Sequence, residues 1–275
     1  MWSDELSTQE ARFSEAVLRE LEQVVWAKPL IEAVSSSGIS SGTMPLLFEA
    51  RFALDIHRAG WKAVYEHKAG VGESSIDFRI LSNPEWHVEL VSIRESQGFK
   101  SAIMLTNDVY ELQLQTDAEN PDHSEEAEMI RAQMKIGEKV LCAGAPTKFP
   151  IPNGAIHVVL ADMRGYLGNG GDCWDYLQIA VGAQKFPPSE QWKIHYWEGS
   201  PIRGLFEQTE PQHPLRASST ARQRLHFLGF VAEQDYRFGE MREKACYLPN
   251  PDLVTESHGE LLAKCCPLTV SATSG

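Results

Sequence analysis

The chain has 275 residues and a formal net charge of −13 at pH 7, from 25 Lys+Arg against 38 Asp+Glu. That length accommodates one large domain with appendages, and a 43% hydrophobic fraction with only 20 Gly and 15 Pro excludes collagen-like and wholly disordered chains. The acid surplus speaks against broad electrostatic adhesion to nucleic acid or anionic lipid, and leaves room only for a local basic groove.

Residues 7–26 place Phe13, Val17, Leu21, Val24 and Val25 at helical spacing with charges between them, which predicts an amphipathic helix capped by Ser7. The small polar run over 35–42 predicts a flexible connector, so residues 1–42 are expected to form an N-terminal helical segment and linker. A second helix is expected over 45–59: Pro45 sits in its first turn, Leu46, Leu47, Ala50, Ala53 and Leu54 make a buried stripe, and Gly60 follows its last turn. Strand-like runs over 62–67, 75–81 and 86–93, separated by Gly70, Gly72 and Asn83-Pro84, predict an antiparallel meander. An acidic stretch over 117–128 leads into a helix over 125–142, with Met129, Ile130, Met134, Gly137, Val140 and Leu141 on its buried side. The nearly all-apolar run over 155–163 reads as a central strand covered on both faces. Beyond it, 165–188 has no clear pattern, 189–197 and 224–233 read as extended or mixed, and a tail of small residues is expected to be disordered from about Ser271. The expected fold class is α/β, a mixed central sheet flanked by helices, with one domain over 43–254 and a tail over 255–275.

No run approaches the ~18 uninterrupted apolar residues of a membrane helix, since the best, 155–163, contains His157 and Asp162. The acidic start Met1-Trp2-Ser3-Asp4-Glu5 has no leader pattern. Five cysteines without a C-x-x-C favour reduced thiols, so a soluble cytoplasmic protein is expected.

Strand alternation puts Asp77 and Arg79 on one face of the second strand, and His87, Glu89, Val91 and Ile93 on one face of the third. If these strands pair, Asp77 and Glu89 converge at one end of the sheet. With Glu49 from the preceding helix they supply the hard oxygen ligands that Mg²⁺ or Mn²⁺ prefers, and such an ion polarises a phosphoryl oxygen and activates a bound water. Each acid alone has an ordinary structural reading: Glu49 as a solvated helix residue paired with Arg51 or Arg58, Asp77 as a strand-edge acid, Glu89 as an outward strand residue. Their joint order is what points to a site.

The stretch Leu47-Phe48-Glu49-Ala50-Arg51-Phe52-Ala53-Leu54-Asp55-Ile56-His57-Arg58-Ala59-Gly60, then Ile76-Asp77-Phe78, then Val88-Glu89-Leu90-Val91, resembles the PD-(D/E)xK nuclease superfamily in the order helix, meander, helix, strand. The resemblance spans about Leu46 to Gly165, with 225–251 similar to the strands that follow such cores. It implies a restriction-endonuclease-like mixed sheet, with Glu49 as the acid of the first core helix, Asp77 as the metal-binding aspartate and Glu89 as the acid of the E-x-K motif. Where that motif carries lysine this chain has Val91, which neither positions a water nor stabilises charge on phosphate. The superfamily lets this lysine migrate, and Lys139, Lys135 and Arg79 are the candidates to replace it. Two readings follow: a Mg²⁺- or Mn²⁺-dependent phosphodiesterase acting on DNA or RNA through a small basic zone (Arg51, Arg58, Lys62, Lys135, Lys139), or a noncatalytic copy of the fold serving as a binding, immunity, defence or regulatory module with a protein partner.

Other motifs are less specific. Gly38-Ile39-Ser40-Ser41-Gly42 fits G-x-S-x-G but follows a helix and a Ser run rather than a strand. Cys246, His258, Cys265 and Cys266 lack the close ligand pair of a structural zinc site. Gly70-Val71-Gly72 lacks the third glycine of a dinucleotide loop, Gly168-Asn169-Gly170-Gly171-Asp172 reads as a turn, and His195-Tyr196-Trp197 reads as core aromatics before it reads as a base-stacking platform.

Overall fold

A computed structural model describes residues 6–68, 71–106, 109–112, 125–182, 196–197, 200–209, 215–255, 257, 259 and 266–269. The N-terminal region forms two helices, α1 (Thr8–Leu21) and α2 (Lys28–Ser37), where a single helix is expected over 7–26. Ser7 caps α1 by accepting from the Glu10 backbone N–H at 3.0 Å. A short 3-10 turn at Val25–Ala27 redirects the chain, and Pro29 sits in the first turn of α2, where its missing N–H costs nothing. The Ser-rich run expected to be a flexible connector instead supplies the last turn of α2 and a 3-10 turn at Ser41–Thr43, in which Ser40 and Thr43 cap each other. Helix α3 (Met44–Arg58) follows, with Pro45 in its first turn and Gly60, at φ +83°, just beyond its end.

The meander forms as expected: β1 (Ala63–His67), β2 (Ile76–Ile80) and β3 (Trp86–Ser92) pair in sequence, antiparallel. A short α4 (Gln97–Ser101) and a hairpin of β4 (Ile103–Thr106) and β5 (Val109–Leu112) come next. Helix α5 (Glu125–Gly137) ends earlier than the hydrophobic pattern suggests. Gly137 lies so close to Ala217 that a Cβ there would meet Ala217 Cβ at 2.7 Å, and the chain then turns into a small hairpin of β6 (Leu141–Cys142) and β7 (Ala145–Pro146). The apolar run becomes β8 (Ile156–Asp162), buried at every position because it lies between β3 and a later strand over Phe227–Val231, parallel to both.

After β8, α6 (Cys173–Val181) occupies part of the unpatterned stretch. Then come a two-residue pair β9 (Tyr196–Trp197) and β10 (Ser200–Pro201), α7 (Ala217–Arg224), β11 (Phe227–Val231), α8 (Glu240–Lys244) and β12 (Cys246–Pro249). The result is a six-stranded mixed sheet in the order β1-β2-β3-β8-β11-β12. One face buries Phe78, Val88, Leu90, Val158 and Leu160 against α1, α2 and α3, through Val17, Leu21, Val34, Leu47 and Leu54. The other buries Val91, Val159 and Ala161 against Ala132, Ile136, Ile179 and Ala221 of α5, α6 and α7. The N-terminal helices thus share a core with the sheet. Among the described residues no helix is long and apolar enough to cross a membrane. The acidic connector up to Ser124, the glycine at 70, and His195, His258, Cys265 and the tail from Ser271 lie outside the described residues.

Candidate active site

The site forms where β2 and β3 part. Their ladder runs from Ile80↔Trp86 through Arg79↔His87 to Phe78↔Val88. One position further on, side chains take over from the backbone: the Asp77 N–H donates to Glu89 Oε2 at 3.2 Å, and the Leu90 N–H donates to Asp77 Oδ2 at 2.7 Å. Each carboxylate therefore satisfies an amide of the neighbouring strand, which holds both acids at the strand ends in a fixed relation.

Glu89 is completely buried, not the outward residue its alternation allows, because β3 is an inner strand with Val159 of β8 beside it. Its charge is met by two ammonium groups: Lys139 Nζ lies 2.8 Å from Oε1 and Lys148 Nζ 3.1 Å from the same oxygen. Lys148 also donates to the Ser75 carbonyl, at the entrance to β2, at 3.0 Å. Glu49 comes from α3, and Tyr65 of β1 donates its hydroxyl to Glu49 Oε2 at 2.7 Å.

These groups sense one another. Burial and the charge of Glu89 push Asp77 up to about 6, with Lys139 opposing. Burial and the charge of Asp77 push Glu49 up to about 7, against the pull of the Tyr65 hydroxyl and Lys139. Burial works to lower Lys139, yet the charges of Glu89 and Asp77 outweigh it and raise that ammonium above its ordinary value. The site is a desolvated cluster of three acids and two bases in which acid repulsion is only partly relieved.

Carboxylate oxygens are the kind of donor that Mg²⁺ and Mn²⁺ take. Among the described residues Asp77 Oδ1 and Glu49 Oε1 accept no hydrogen bond, and both belong to carboxyl groups under mutual repulsion. No three His, Cys, Asp or Glu side chains among the described residues close a cage around an ion by themselves. Mg²⁺ does not need one, since it is usually held by one or two carboxylates with waters and substrate oxygens completing its octahedron.

Of the candidates named from sequence, Glu49, Asp77, Glu89 and Lys139 come together. Lys135 does not: it is exposed and paired with Glu138 at 2.9 Å, because α5 ends between it and Lys139 and the two lysines no longer share a helix face. Arg79 is held by Glu85 through two contacts of 2.9 and 2.6 Å. Arg51 is buried against Glu233 and Glu10, and Arg58 is paired with Glu20, so neither belongs to a free basic surface. Lys62 is exposed between α3 and β1. Val91 is 4% exposed in the core that includes Ile136 and Val140. Gly38 to Gly42 follows α2 with no strand before it among the described residues, and Asp172 caps α6 by accepting from Trp174 N at 2.7 Å. Lys148 and Tyr65 escape sequence reasoning. Tyr65 shares parity with the buried Ala63 on β1, a signal of sorts, whereas Lys148 sits in an irregular loop with no pattern around it. No family model matches this chain, and no curated protein or solved structure matches it.

Proposed function

We propose that the chain is a metal-dependent phosphodiesterase acting on DNA or RNA, built on a restriction-endonuclease-like core, with Lys139 replacing the lysine that Val91 displaces. The observation that carries this reading is the 2.8 Å contact of Lys139 with Glu89, the acid whose own E-x-K position holds valine. The succession of α3, the β1-β2-β3 meander, α5 and β8 around the site supports it. Asp77 and Glu89, with Glu49 behind them, would hold the Mg²⁺ or Mn²⁺, which when bound polarises the phosphoryl oxygen and lowers the pKa of a water. Lys139 would donate to a non-bridging oxygen as negative charge grows there. The water oxygen would bond to phosphorus and give up a proton to solvent, the opposite ester P–O bond would break, and the leaving alkoxide would take up a proton from solvent. Incubating the pure protein with Mg²⁺ or Mn²⁺ and mixed single- and double-stranded DNA and RNA tests the reading. Cleavage abolished in Asp77→Ala is expected; cleavage no greater than in that control overturns it.

One observation favours the noncatalytic reading: Glu89 already spends both oxygens on Lys139, Lys148 and the Asp77 amide. On that reading the fold is a binding, immunity, defence or regulatory module whose partner is a protein. Calorimetric titration with Mn²⁺ separates the two: binding that disappears in both Asp77→Ala and Glu89→Ala rejects the module reading, and no binding in the wild type favours it.

A further inference from the structure

The two lysines on Glu89 are equally exposed, at 26%, but differ in their partners. Lys139 makes one hydrogen bond among the described residues, to Glu89, so two of its three ammonium hydrogens are left for another partner. Lys148 bridges two strands, since its Nζ contacts Glu89 on β3 and the Ser75 carbonyl ahead of β2. Its backbone is built to deliver that bridge. Lys148 has φ +50°, in the left-handed region that side chains other than glycine seldom adopt. Residues that remain in such a conformation are held there by their surroundings.

The surroundings here are specific. The next residue, Phe149, is fully buried with its ring 5.2 Å from that of His157 on β8. The Phe149 carbonyl accepts from Arg224 Nη1 at 2.6 Å, and His157 Nδ1 contacts the Arg224 carbonyl at 2.9 Å. On the other side, the Thr147 N–H donates to the Val140 carbonyl at 3.0 Å. The loop is therefore nailed to the sheet one residue after the lysine and to the turn carrying Lys139 one residue before it.

We propose that Lys148 is a positioning residue that fixes Glu89 and, through Ser75, the strand end bearing Asp77, while Lys139 is the lysine whose free hydrogens meet the substrate phosphate. The Lys139 half rests on the phosphodiesterase reading; the Lys148 half does not. By tethering β2 to the buried carboxylate where the ladder has stopped, Lys148 keeps Asp77 and Glu89 exchanging amide hydrogen bonds. Without it, among the described residues, the β2 entrance is joined to β3 at this point only by those two bonds, and they open more often.

The test is amide hydrogen exchange by NMR on wild-type protein and the Lys148→Met, Lys148→Arg and Lys139→Met variants, with cleavage measured in parallel. In Lys148→Met the Asp77 and Leu90 amides are expected to exchange about 10-fold faster or more, while Val158 and Leu160 on β8 keep their protection. Lys148→Arg, whose guanidinium still reaches a carboxylate and a carbonyl, is expected to restore most of it. Lys139→Met is expected to leave these two amides protected but to lower kcat by about 100-fold or more with little change in KM. Unchanged exchange in Lys148→Met overturns the positioning role, and faster exchange of the same amides in Lys139→Met, beyond any change at Val158 and Leu160, overturns the division between the lysines. If Lys148→Met does not fold, Lys148→Gln is measured by the same criterion. A wild type that cleaves nothing removes the phosphodiesterase reading and Lys139's part with it, while the exchange data still decide the role of Lys148.

Discussion

Lys139 and Glu89 lie 50 positions apart in the chain and 2.8 Å apart in space. Lys135, one helical turn earlier, is exposed and, among the described residues, bonded only to the equally exposed Glu138. The two lysines are thus expected to respond oppositely to truncation. Lys135→Met should change unfolding free energy by no more than about 0.5 kcal/mol, as exposed pairs do. Lys139→Met removes one of two cations from a fully buried carboxylate and should cost about 1–3 kcal/mol. Urea unfolding at pH 7.5 measures both, and equal effects would contradict the placement of Lys139.

On the proposed phosphodiesterase reading, Val91 invites an obvious repair, a lysine two residues after Glu89. We expect it to fail. Val91 is nearly fully buried in an apolar cluster with Ile93, Val159 and Ile136, and the carboxylate beside it already has two ammonium partners. A lysine there would overfill the core or bury a third cation against a single acid. Val91→Lys is expected to destabilise by about 3 kcal/mol or more, read by thermal or urea unfolding, and not to restore function to Lys139→Met.

The acids of the site make stability fall as pH rises. Glu49 is pushed from its usual 4.5 up to about 7, mainly by burial and then by the charge of Asp77. A group whose folded pKa is raised contributes stability that is fully present below its unfolded value and lost as pH climbs through the folded one. Between pH 4.5 and 7 the metal-free protein should therefore lose this contribution. Glu49→Gln keeps an acceptor for the Tyr65 hydroxyl and cannot ionise, so it should be more stable than wild type by about 1–2 kcal/mol at pH 8 and within about 0.5 kcal/mol of it at pH 4. Unfolding curves at the two pH values check the crossing.

Arg51 illustrates how a local reading assigns a charge to the wrong surface. In sequence it belongs to the basic zone of helix α3; in space it is 3% exposed, with Nε 2.7 Å from Glu233 and Nη1 3.3 Å from Glu10. Arg164 contacts the same Glu10 from the end of β8, so the network ties α1 to the sheet. Arg51→Ala leaves Glu10 and Glu233 short of their buried partner and is expected to cost about 3–5 kcal/mol, with no specific effect on nucleic-acid binding once the folded fraction is matched. A salt-dependent loss of binding by folded Arg51→Ala would contradict this.

What the sequence revealed follows the range of the interactions involved. The bounds of α3, the meander and β8 were legible because Pro45, Gly60, the turn residues and the apolar run act over a few positions. The pairing of Asp77 with Glu89 followed from strand parity, since the meander is local. The break after Gly137 was not legible: a helical hydrophobic pattern continues to Leu141, and only the close approach of Ala217, 80 residues later, calls for a glycine at the end of α5. That break separates Lys139 from Lys135. Lys148 was hidden for the same reason, because its backbone conformation is set by Phe149, Arg224 and His157, contacts that no short window contains.

The last expectation concerns a row of imidazoles on the face that carries Glu89. His87 stacks on His157 with ring centroids 5.3 Å apart and 11° between planes, and among the described residues neither His87 ring nitrogen has a hydrogen-bond partner. Burial, and after it the proximity of His67, pushes His87 down to about 4 from 6.5. A group with a depressed folded pKa contributes stability that is present above its unfolded value and lost as pH falls through the folded one. Wild-type protein should thus lose stability from pH 6.5 towards pH 4, where the unfolded chain binds a proton that the folded chain refuses. His87→Phe preserves a planar ring against His157 and gives up no hydrogen bond, so at pH 7.5 it should match wild type to within about 1 kcal/mol. At pH 4 it should exceed wild type by about 2–3 kcal/mol. His157, pushed to about 3 by burial and by His87, keeps titrating in the variant, so the acid dependence is expected to shrink without vanishing. An unchanged pH slope in His87→Phe would show that the ring is protonated in the folded protein as readily as in the unfolded chain.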